Sequence, residues 1–258
     1  MTDTRGQVLF LGSGTSHGVP MIGCRCAVCR SDDERDKRMR PSVYIRWADG
    51  TSLLVDTTPD LRSQALRWGV EHVDAVLFTH CHADHVMGLD EIRRFNILQG
   101  AAIPCYGNAA ALADIRRIFS YAFEATDHGG GLPKFDLEPI GEGVTINGHR
   151  VTAVPVWHGP QLILGYRVER FAYLTDCNGI PDSSWALLED LDTLVIDAVR
   201  HRPHGTHYNV EGALGVIARL SPRRAYITHV CHDLGHAATN AQLPPGVELA
   251  YDGLVVGI

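Results

Sequence analysis

Short apolar runs alternate with amphipathic stretches along this chain, and turn residues separate them. The apolar runs predict buried or half-buried strands over 7–11, 73–78, 103–106, 151–156, 193–197 and 224–228. Two alternating pairs of segments predict hairpins, 42–47 with 51–56 and 162–168 with 171–174. Apolar residues at helical spacing predict helices over 59–68, 89–98, 109–119 and 210–220. This mixture predicts an α/β fold whose second β-rich half repeats the logic of the first.

Local signals complete this outline. Asn108 and Asn209 stand directly before two of the predicted helices and are suited to cap them. The tail, 247–258, predicts closing strands with a turn between them. The charged run 31–40 predicts a solvated loop or short helix without chemistry. The glycine-containing stretch 121–134 predicts a flexible connection that serves as a lid.

The stretch that follows the apolar run 73–78 has the most distinctive chemistry. It reads H-x-H-x-D-H, so a buried strand would deliver three imidazoles and a carboxylate to one loop, from His80, His82, Asp84 and His85. Imidazole suits zinc, manganese or iron, and carboxylate is a hard donor. Four such groups exceed what one ion needs from a single segment, so the motif predicts two ions. A histidine-rich surface loop that binds nothing is the alternative.

Two later strand ends carry further candidate ligands. The predicted strand 151–156 is followed by His158, and the predicted strand 171–174 by Asp176. The two oxygens of Asp176 can each face one metal ion, at the separation of about 3.5 to 4 Å found in two-metal hydrolases. Taken alone, an Asp at a strand end is more often a turn former or a helix cap.

Histidine and arginine are unusually dense after the predicted strand 193–197. This loop contains Arg200, His201, Arg202, His204 and His207 within eight residues. Most of these side chains are expected to be solvated, but one histidine near the metals would be useful for proton transfer. Two isolated histidines, His17 in a glycine-rich loop and His128 in the predicted lid, are weaker candidates for the mouth of the site.

Three thiols, from Cys24, Cys26 and Cys29, crowd into one loop at 24–29. Such crowding favours a cation, and a structural zinc site needs a fourth ligand. His232 is the candidate, with the adjacent Cys231 as a competitor. A zinc ion held in this way would staple the N-terminal loop to a late segment and contribute on the order of 10 kcal/mol to folding. A redox or free-thiol cluster is the alternative.

Length and composition limit the function classes. At 258 residues and 45% hydrophobic, the chain is expected to form one domain over 1–258. Its net charge of −7 and pI of about 6.0 argue against a nucleic-acid polymer as partner and favour a small substrate. We expect neither a membrane partner nor export, because no apolar run approaches the roughly eighteen residues of a spanning helix. The expected location is cytoplasmic, and the odd count of seven cysteines suits reduced thiols.

The H-x-H-x-D-H motif resembles the signature of the metallo-β-lactamase superfamily, which implies a four-layer αββα sandwich with the metals at one edge. The cysteine loop and the G-x-G-T-x-x-G-V-P start at Gly12 resemble the PhnP-type phosphodiesterases, whose namesake hydrolyses cyclic ribosyl phosphates. This resemblance runs along nearly the whole chain. It implies two active-site divalent metals, zinc or manganese, and one structural zinc ion, and it suggests a homodimer.

The resemblance also implies individual roles. One active-site metal would be held by His80, His82 and His158, the other by Asp84, His85 and His229, with Asp176 as the bridge. Cys24, Cys26, Cys29 and His232 would hold the structural zinc. Asp56 would brace the metal loop without binding metal. His207 lies where the family has a histidine linked to acid–base work, whereas the contacts of Arg200 and Arg202 with substrate cannot be carried over.

A dinuclear-metal-dependent phosphodiesterase follows from this set of residues. A hydroxide bridging the two metals would attack phosphorus, and His207 would protonate the leaving alkoxide. Asp84 and His207 are therefore the expected catalytic side chains, and the expected substrate is a small, in some cases cyclic, phosphodiester.

Other functions share parts of this pattern. Thioester or lactone hydrolysis of the glyoxalase-II type uses similar ligands. A non-catalytic accessory role is known from the pyrroloquinoline quinone branch, which also has a cysteine-rich N-terminal loop. The acidic chain lacks an obvious basic arm for tRNA processing. A diiron oxidoreductase would usually have a carboxylate in place of His82.

Overall fold

Two seven-stranded sheets form the centre of the protein in residues 6–123 and 131–258, the part of the chain that the computed structural model describes. With strands numbered in chain order, the first sheet has the order β14-β1-β2-β3-β4-β5-β6. Its strands are β1 (Gln7–Gly12), β2 (Ser42–Arg46), β3 (Ser52–Val55), β4 (Ala75–Leu77), β5 (Ile103–Gly107), β6 (Phe135–Pro139) and β14 (Val255–Gly257).

The second sheet has the order β13-β12-β11-β10-β9-β8-β7. Its strands are β7 (Gly143–Ile146), β8 (His149–His158), β9 (Gln161–Val168), β10 (Phe171–Leu174), β11 (Thr193–Asp197), β12 (Arg224–Thr228) and β13 (Val247–Leu249). Both predicted hairpins are confirmed, because β2 pairs with β3 and β9 with β10 in antiparallel register.

Helices connect and cover these strands. The α-helices are α1 (Leu61–Trp68), α2 (Ala83–Val86), α3 (Ile92–Gln99), α4 (Ala109–Ile118), α5 (Asp182–Trp185), α6 (Val210–Leu220) and α7 (His236–Asn240). Short 3-10 helices lie at Glu34–Asp36, Leu89–Glu91, Ser120–Ala122 and Ala186–Leu188. The predicted caps are confirmed: the side chain of Asn108 accepts from the amide of Ala111, and that of Asn209 from the amide of Gly212. None of these helices has the length and apolarity to cross a bilayer.

Alternation along the strands produces four layers. In β3, Leu53 and Val55 point into the apolar core between the two sheets, whereas Leu54 points to the outer face. There it packs in a second apolar cluster with residues of α1, α3 and α4. A third cluster joins the outer face of the second sheet to α6 and the segment around α5. The observed fold is therefore the expected αββα sandwich.

Parallel strands place the candidate ligands at one edge. Strands β3, β4 and β5 run parallel in the first sheet, and β10, β11 and β12 run parallel in the second. Because parallel strands end on the same side of a sheet, the loops that follow them meet there. Strand β8 runs antiparallel to β9 and β9 to β10, so β8 also ends at this edge.

Two predicted loops, 31–40 and 121–134, are not fully confirmed by the structure. The charged run 31–40 is predicted to be a solvated loop or short helix. A short 3-10 helix is observed at Glu34–Asp36, but the solvation is wrong for Asp36 and Arg38, because both are buried. Besides their ion pair with each other, these side chains contact one backbone amide and two backbone carbonyls far away in sequence, which no local pattern indicates. Residues 124–130 of the predicted lid over 121–134, which include His128, lie outside the described residues, and the lid stays a prediction.

Two hydrogen bonds join the sheets directly before the H-x-H-x-D-H segment, residues 80–85, which is called the metal loop below. The hydroxyl of Tyr166 in β9 donates to the carbonyl of Phe78 at 2.5 Å, and the amide of Leu164 donates to the carbonyl of Thr79 at 3.0 Å. Both acceptors lie in the two residues before His80. These two hydrogen bonds therefore fix the position of the chain directly before His80 relative to the second sheet.

Replacing Tyr166 by Phe is expected to lower the free energy of unfolding by about 1 to 2 kcal/mol, because the buried carbonyl of Phe78 loses its donor from the second sheet. Urea denaturation of wild type and Tyr166→Phe measures this difference.

Tyr173→Phe is the matched control. Tyr173 is equally buried, but its hydroxyl has no hydrogen-bond partner among the described residues. Its removal should leave stability unchanged or slightly raise it. A loss of equal size in both variants would contradict the role given to the Tyr166 bond.

Candidate metal centre

The strand-end loops bring seven imidazole and carboxylate groups together in two adjacent clusters. The first cluster contains His80, His82 and His158, and the second contains Asp84, His85, Asp176 and His229. Within each cluster, one potential ligand atom per residue lies within 4.8 Å of all the others. The seven side chains expected to hold the active-site metals therefore lie at one place.

Asp176 occupies the position between the clusters. Its Oδ1 is 3.3 Å from Nε2 of His85, and its Oδ2 is 3.2 Å from Nε2 of His229. The same Oδ2 lies 4.0 Å from Nε2 of His80, in the other cluster. One carboxylate thus faces both groups of imidazoles.

Three residues at this edge have left-handed backbone conformations. They are Asp56 with φ 64°, Asp176 with φ 56° and His229 with φ 58°. Each follows a strand, respectively β3, β10 and β12, within two residues. Such conformations are unfavourable for residues other than glycine and persist only where the surroundings hold them. The chain turns sharply there and directs the side chains into the site.

Buried hydrogen bonds orient the imidazoles. Nδ1 of His85 lies 2.7 Å from Oδ2 of Asp56, which is completely buried and also accepts from the amide and hydroxyl of Thr79 at 2.9 and 2.8 Å. Nδ1 of His158 donates to the carbonyl of Thr206 at 3.0 Å. With Nδ1 occupied in this way, Nε2 of each ring is left to face the site.

Several of these nitrogens have no partner, which tests whether cations fit. Nε2 of His80, of His85 and of His229 is buried and makes no hydrogen bond within the described residues. Buried polar atoms are nearly always satisfied, so three such atoms in one cleft need another partner. Imidazole nitrogens that converge with two carboxylates are a suitable donor set for zinc or manganese. The residues present therefore fit two divalent ions.

The charges of the cleft point the same way. Burial opposes ionisation of Asp84 and Asp176, but neighbouring His85 and His229 hold the pKa of both carboxyl groups below its usual range. Burial lowers the pKa of His158 to about 4 and that of His80 well below its usual value. Anionic carboxylates beside neutral imidazoles form a site that attracts a cation.

His207 stands next to both clusters and is paired with a carboxylate that the sequence analysis did not single out. Its Nδ1 lies 2.8 Å from Oδ2 of Asp197, and its ring stacks on that of His229 with the centroids 4.7 Å apart. The same Asp197 oxygen accepts from the amide of Cys177 at 2.9 Å. Burial raises the pKa of Asp197 and lowers that of His207. The available signal for Asp197 was its place at the end of a strand between those that precede Asp176 and His229.

The cysteine loop forms a separate cluster with His232. Nδ1 of His232 lies 3.2 Å from the sulfur of Cys24, 3.4 Å from that of Cys26 and 3.7 Å from that of Cys29. A backbone hydrogen bond from Cys29 lowers the pKa of Cys26 to about 6, whereas burial raises that of Cys29 to about 11. Cys231, the competing residue, is not part of this four-ligand group.

The remaining candidates lie at the rim. His201 and His204 are exposed, although the ring of His204 is 4.9 Å from that of His207. Arg202 forms an exposed ion pair with Asp233 at 3.2 Å. His17 is exposed and belongs to none of the metal-compatible groups found in the described part of the chain.

The electrostatics of His85 lead to a test of metal binding. Burial alone would lower its pKa, but the carboxylates of Asp176, Asp56 and Asp84 raise it well above the usual value. These carboxylates therefore favour the protonated form of His85, and a metal that binds its Nε2 must displace that proton. Metal affinity should rise with pH, and His85→Gln should release about one proton fewer per chain than wild type. Calorimetric zinc titration in buffers of different ionisation enthalpy measures the difference.

The control is His80→Gln. Because burial lowers the pKa of His80 well below its usual value, this variant should, at zinc saturation, release as many protons per chain as wild type. Equal proton release by wild type and His85→Gln would refute the protonated state of His85.

Comparison with known proteins supplies a family. The model of the beta-lactamase superfamily domain matches residues 51–230. The crystal structure of a diphosphatase from the PhnP family is 42% identical and superposes with a TM-score of 0.92, over 98% of this chain and 97% of that one.

Two curated relatives have other names. An octanoyltransferase of Porphyromonas gingivalis is 36% identical over 255 residues, which are 96% of this chain. This chain spans only about half of that relative, 51% of its length. Coenzyme PQQ synthesis protein B of Methylorubrum extorquens is 29% identical over 218 residues, which cover 74% of this chain and 72% of the relative. On the family match and the PhnP-family likeness, this chain belongs to the metallo-β-lactamase superfamily and is of the PhnP type.

Proposed function

We propose that this protein is a dinuclear-metal phosphodiesterase that hydrolyses small phosphodiesters, cyclic ones included. The observation that carries the proposal is the placement of Asp176, whose carboxylate faces the imidazoles of both clusters. One ion would be held by His80, His82 and His158, and the other by Asp84, His85 and His229. Asp176 would contact both. The proposed ions are zinc or manganese.

Two divalent ions at these positions supply charge neutralisation for the phosphoryl oxygens and a nucleophilic water near neutral pH. The contribution of the chain is to hold the cleft in shape around them. Asp56 fixes the ring of His85 through a bond that is buried on both sides, and the carbonyl of Thr206 fixes the ring of His158. Ligands that are oriented in advance need little reorganisation during the reaction.

His207 is the proposed general acid. Its bond to Asp197, between Nδ1 and Oδ2 at 2.8 Å, sets the plane of the ring and leaves Nε2 free to act on a substrate. Ring contacts with His158 and His229, at centroid distances of 4.8 and 4.7 Å, place it against a ligand of each proposed ion. A proton delivered from His207 to the departing oxygen would stabilise an alcohol leaving group. Asp197 would act through His207 as a positioning residue.

The second cluster has a structural role in this proposal. Cys24, Cys26, Cys29 and His232 would hold one zinc ion, which would complete the closed set of four ligands typical of structural sites. Such an ion would join the loop 24–29 to a segment more than two hundred residues later, where His232 follows His229 closely.

One finding supports a phosphoester substrate, and another supports a small one. The PhnP-family relative with high structural similarity is a diphosphatase, which also acts at phosphorus. The net charge of −7 disfavours a long polyanion and leaves a small substrate as the better candidate.

Acyl chemistry is the second candidate, and one observation favours it. The octanoyltransferase relative carries its name from transfer of an acyl group, although this chain matches only about half of its length. Metal-assisted hydrolysis of a thioester or lactone would use the same two clusters.

The first test of function is the hydrolysis of bis-p-nitrophenyl phosphate by protein reconstituted with manganese or zinc. Wild type is expected to turn over, and Asp176→Ala should lose at least about 10²-fold in kcat, because neither proposed ion keeps its shared ligand. Release of p-nitrophenolate, followed at equal protein and metal concentrations, measures both rates.

The matched control is Asp136→Ala, which removes an exposed carboxylate of β6 outside the two clusters and should keep the wild-type rate. An inactive wild type with ions demonstrably bound, together with turnover of an octanoyl thioester, would replace the phosphodiesterase proposal by the acyl one.

The proposed acid makes a prediction that depends on the leaving group. His207→Ala should slow esters with poor alcohol leaving groups by about 10² to 10⁴-fold and scarcely affect p-nitrophenyl esters, which leave without a proton. The ratio of kcat/KM for the two kinds of ester measures this. His201→Ala, in the same loop but exposed, should change neither rate. Equal losses on both esters in His207→Ala would remove the general-acid assignment.

A further inference from the structure

The loop that follows His229 is held by the N-terminal part of the chain, at contacts that the proposed chemistry does not use. The amide of Val230 donates to the carbonyl of Ser13 at 2.9 Å, and Gly14 forms a parallel bridge with Val230. Ser13 is fixed in turn by the half-buried carboxylate of Asp252, which accepts from the amide and hydroxyl of Ser13 at 2.9 and 2.8 Å. The residue next to a proposed metal ligand thus depends on a segment more than two hundred positions away.

Arg38 makes the strongest of these contacts. Its side chain is fully buried; Nη1 donates to the carbonyl of Cys231 at 2.9 Å and Nη2 to that of Leu234 at 2.7 Å. Nη2 also lies 2.8 Å from Oδ1 of Asp36, and this oxygen accepts from the amide of His236 at 2.8 Å. Arg38 and Asp36 together therefore hold three backbone groups of the segment 231–236.

A buried guanidinium group adds little net stability, because removing its charge from water costs free energy. Burial lowers the pKa of Arg38, which reports the cost of removing its charge from water. Buried ion pairs are often no more stabilising than apolar side chains of the same size. Arginine instead offers five donors in a rigid planar fork, which fixes the relative positions of its acceptors. Arg38 therefore serves to fix the relative positions of the backbone groups that it contacts.

The geometry in question is that of His229. Its backbone has φ 58°, a conformation that must be imposed by what surrounds it. Val230 is held to Ser13 on one side, and Arg38 holds the carbonyl of Cys231 directly afterwards. Held in this way, His229 has its Nε2 3.2 Å from Asp176 and 3.8 Å from Asp84. A shift of the segment 231–236 would move this imidazole away from both carboxylates.

We propose that Arg38 is a positioning residue for the active-site metal centre, acting through the segment 231–236 on His229. The inference rests on the proposed function only in taking His229 as a metal ligand. The carbonyls that Arg38 holds also flank His232 of the cysteine cluster, so the test separates an effect on His229 from an effect on that cluster.

The test compares metal binding by wild type, Arg38→Lys and Arg35→Lys. Lysine keeps the charge at position 38 but cannot reproduce the planar fork, so Arg38→Lys should bind one of its two active-site ions about 10 to 100-fold more weakly. Arg35→Lys is the matched control, because Arg35 lies three residues before Arg38 and its side chain pairs with Asp33 at the surface. It should bind all ions as wild type does. Competition with a chromophoric chelator gives the affinities.

Cobalt substitution shows which site is affected. The Cys24, Cys26, Cys29 and His232 group is the one metal-compatible cluster among the described residues that contains thiols, so thiolate-to-cobalt charge transfer reports it alone. In Arg38→Lys this absorption should remain while the weaker bands of the active-site cobalt change. The weakened ion should also rebind at high metal concentration and restore turnover, which a loss of folded protein would not allow.

Asp36→Asn provides a second variant in case Arg38→Lys does not fold. It keeps the size of the side chain, weakens its bond to Arg38 and should shift the same affinity in the same direction. Wild-type affinities in folded variants would overturn the proposal. So would equal weakening of the cysteine site, or loss of folding in both variants, since Arg38 would then serve general stability. If the metal affinities shift as expected but the protein has no phosphodiesterase activity, the proposed function is refuted and the inference about Arg38 is retained.

Discussion

The arrangement of the metal loop, residues 80–85, depends on hydrogen bonds to the buried carboxylate of Asp56. It accepts three hydrogen bonds, two from Thr79 and one from Nδ1 of His85, and all three donors lie in or beside the H-x-H-x-D-H motif. Three donors at one completely buried anion leave it no alternative arrangement of comparable energy. The loop therefore leaves β4 in one direction, and Nε2 of His85 faces Asp84 and Asp176 before any ion binds.

The second sheet uses the same device. Asp197 at the end of β11 accepts from the amide of Cys177, directly after Asp176, and from His207. In each sheet, then, a buried Asp at the end of one parallel strand holds the loop that follows the adjacent strand. The two halves of the sandwich contribute equivalent supports, and the clusters lie where those supports meet. Arg38 extends the pattern to the loop after β12, with a buried cation that holds carbonyls where the two aspartates hold donors.

Much of this could be predicted from the sequence because the decisive signals are local. An apolar run followed by histidines or an aspartate indicates both the strand and the edge at which its ligands lie. The strand predicted before Asp176 ends as expected at Leu174, the one before His80 ends one residue early at Leu77, and β8 continues through His158, two residues past its predicted end. Asp197 was missed because its partners, His207 and a backbone amide, are not marked by any motif. Arg38 was misjudged because its carbonyl acceptors lie 193 and 196 residues away, and a carbonyl leaves no trace in a sequence.

The proposed metal ligands differ in whether hydrogen bonds within the protein already orient their rings. His85 and His158 have Nδ1 bound to the protein, and His80 has its Nδ1 3.0 Å from the hydroxyl of Thr79, so these rings are oriented without an ion. His82 is exposed and precedes α2 directly, with ring contacts to His80 and His158 as its ties to the cluster. Ordering an exposed side chain costs conformational entropy, whereas a ring already fixed loses little. An ion bound at the first cluster would therefore have to offset the entropy lost in ordering His82, whereas an ion bound at the second cluster would meet ligands oriented by Asp56 and, as proposed, by Arg38 through the backbone.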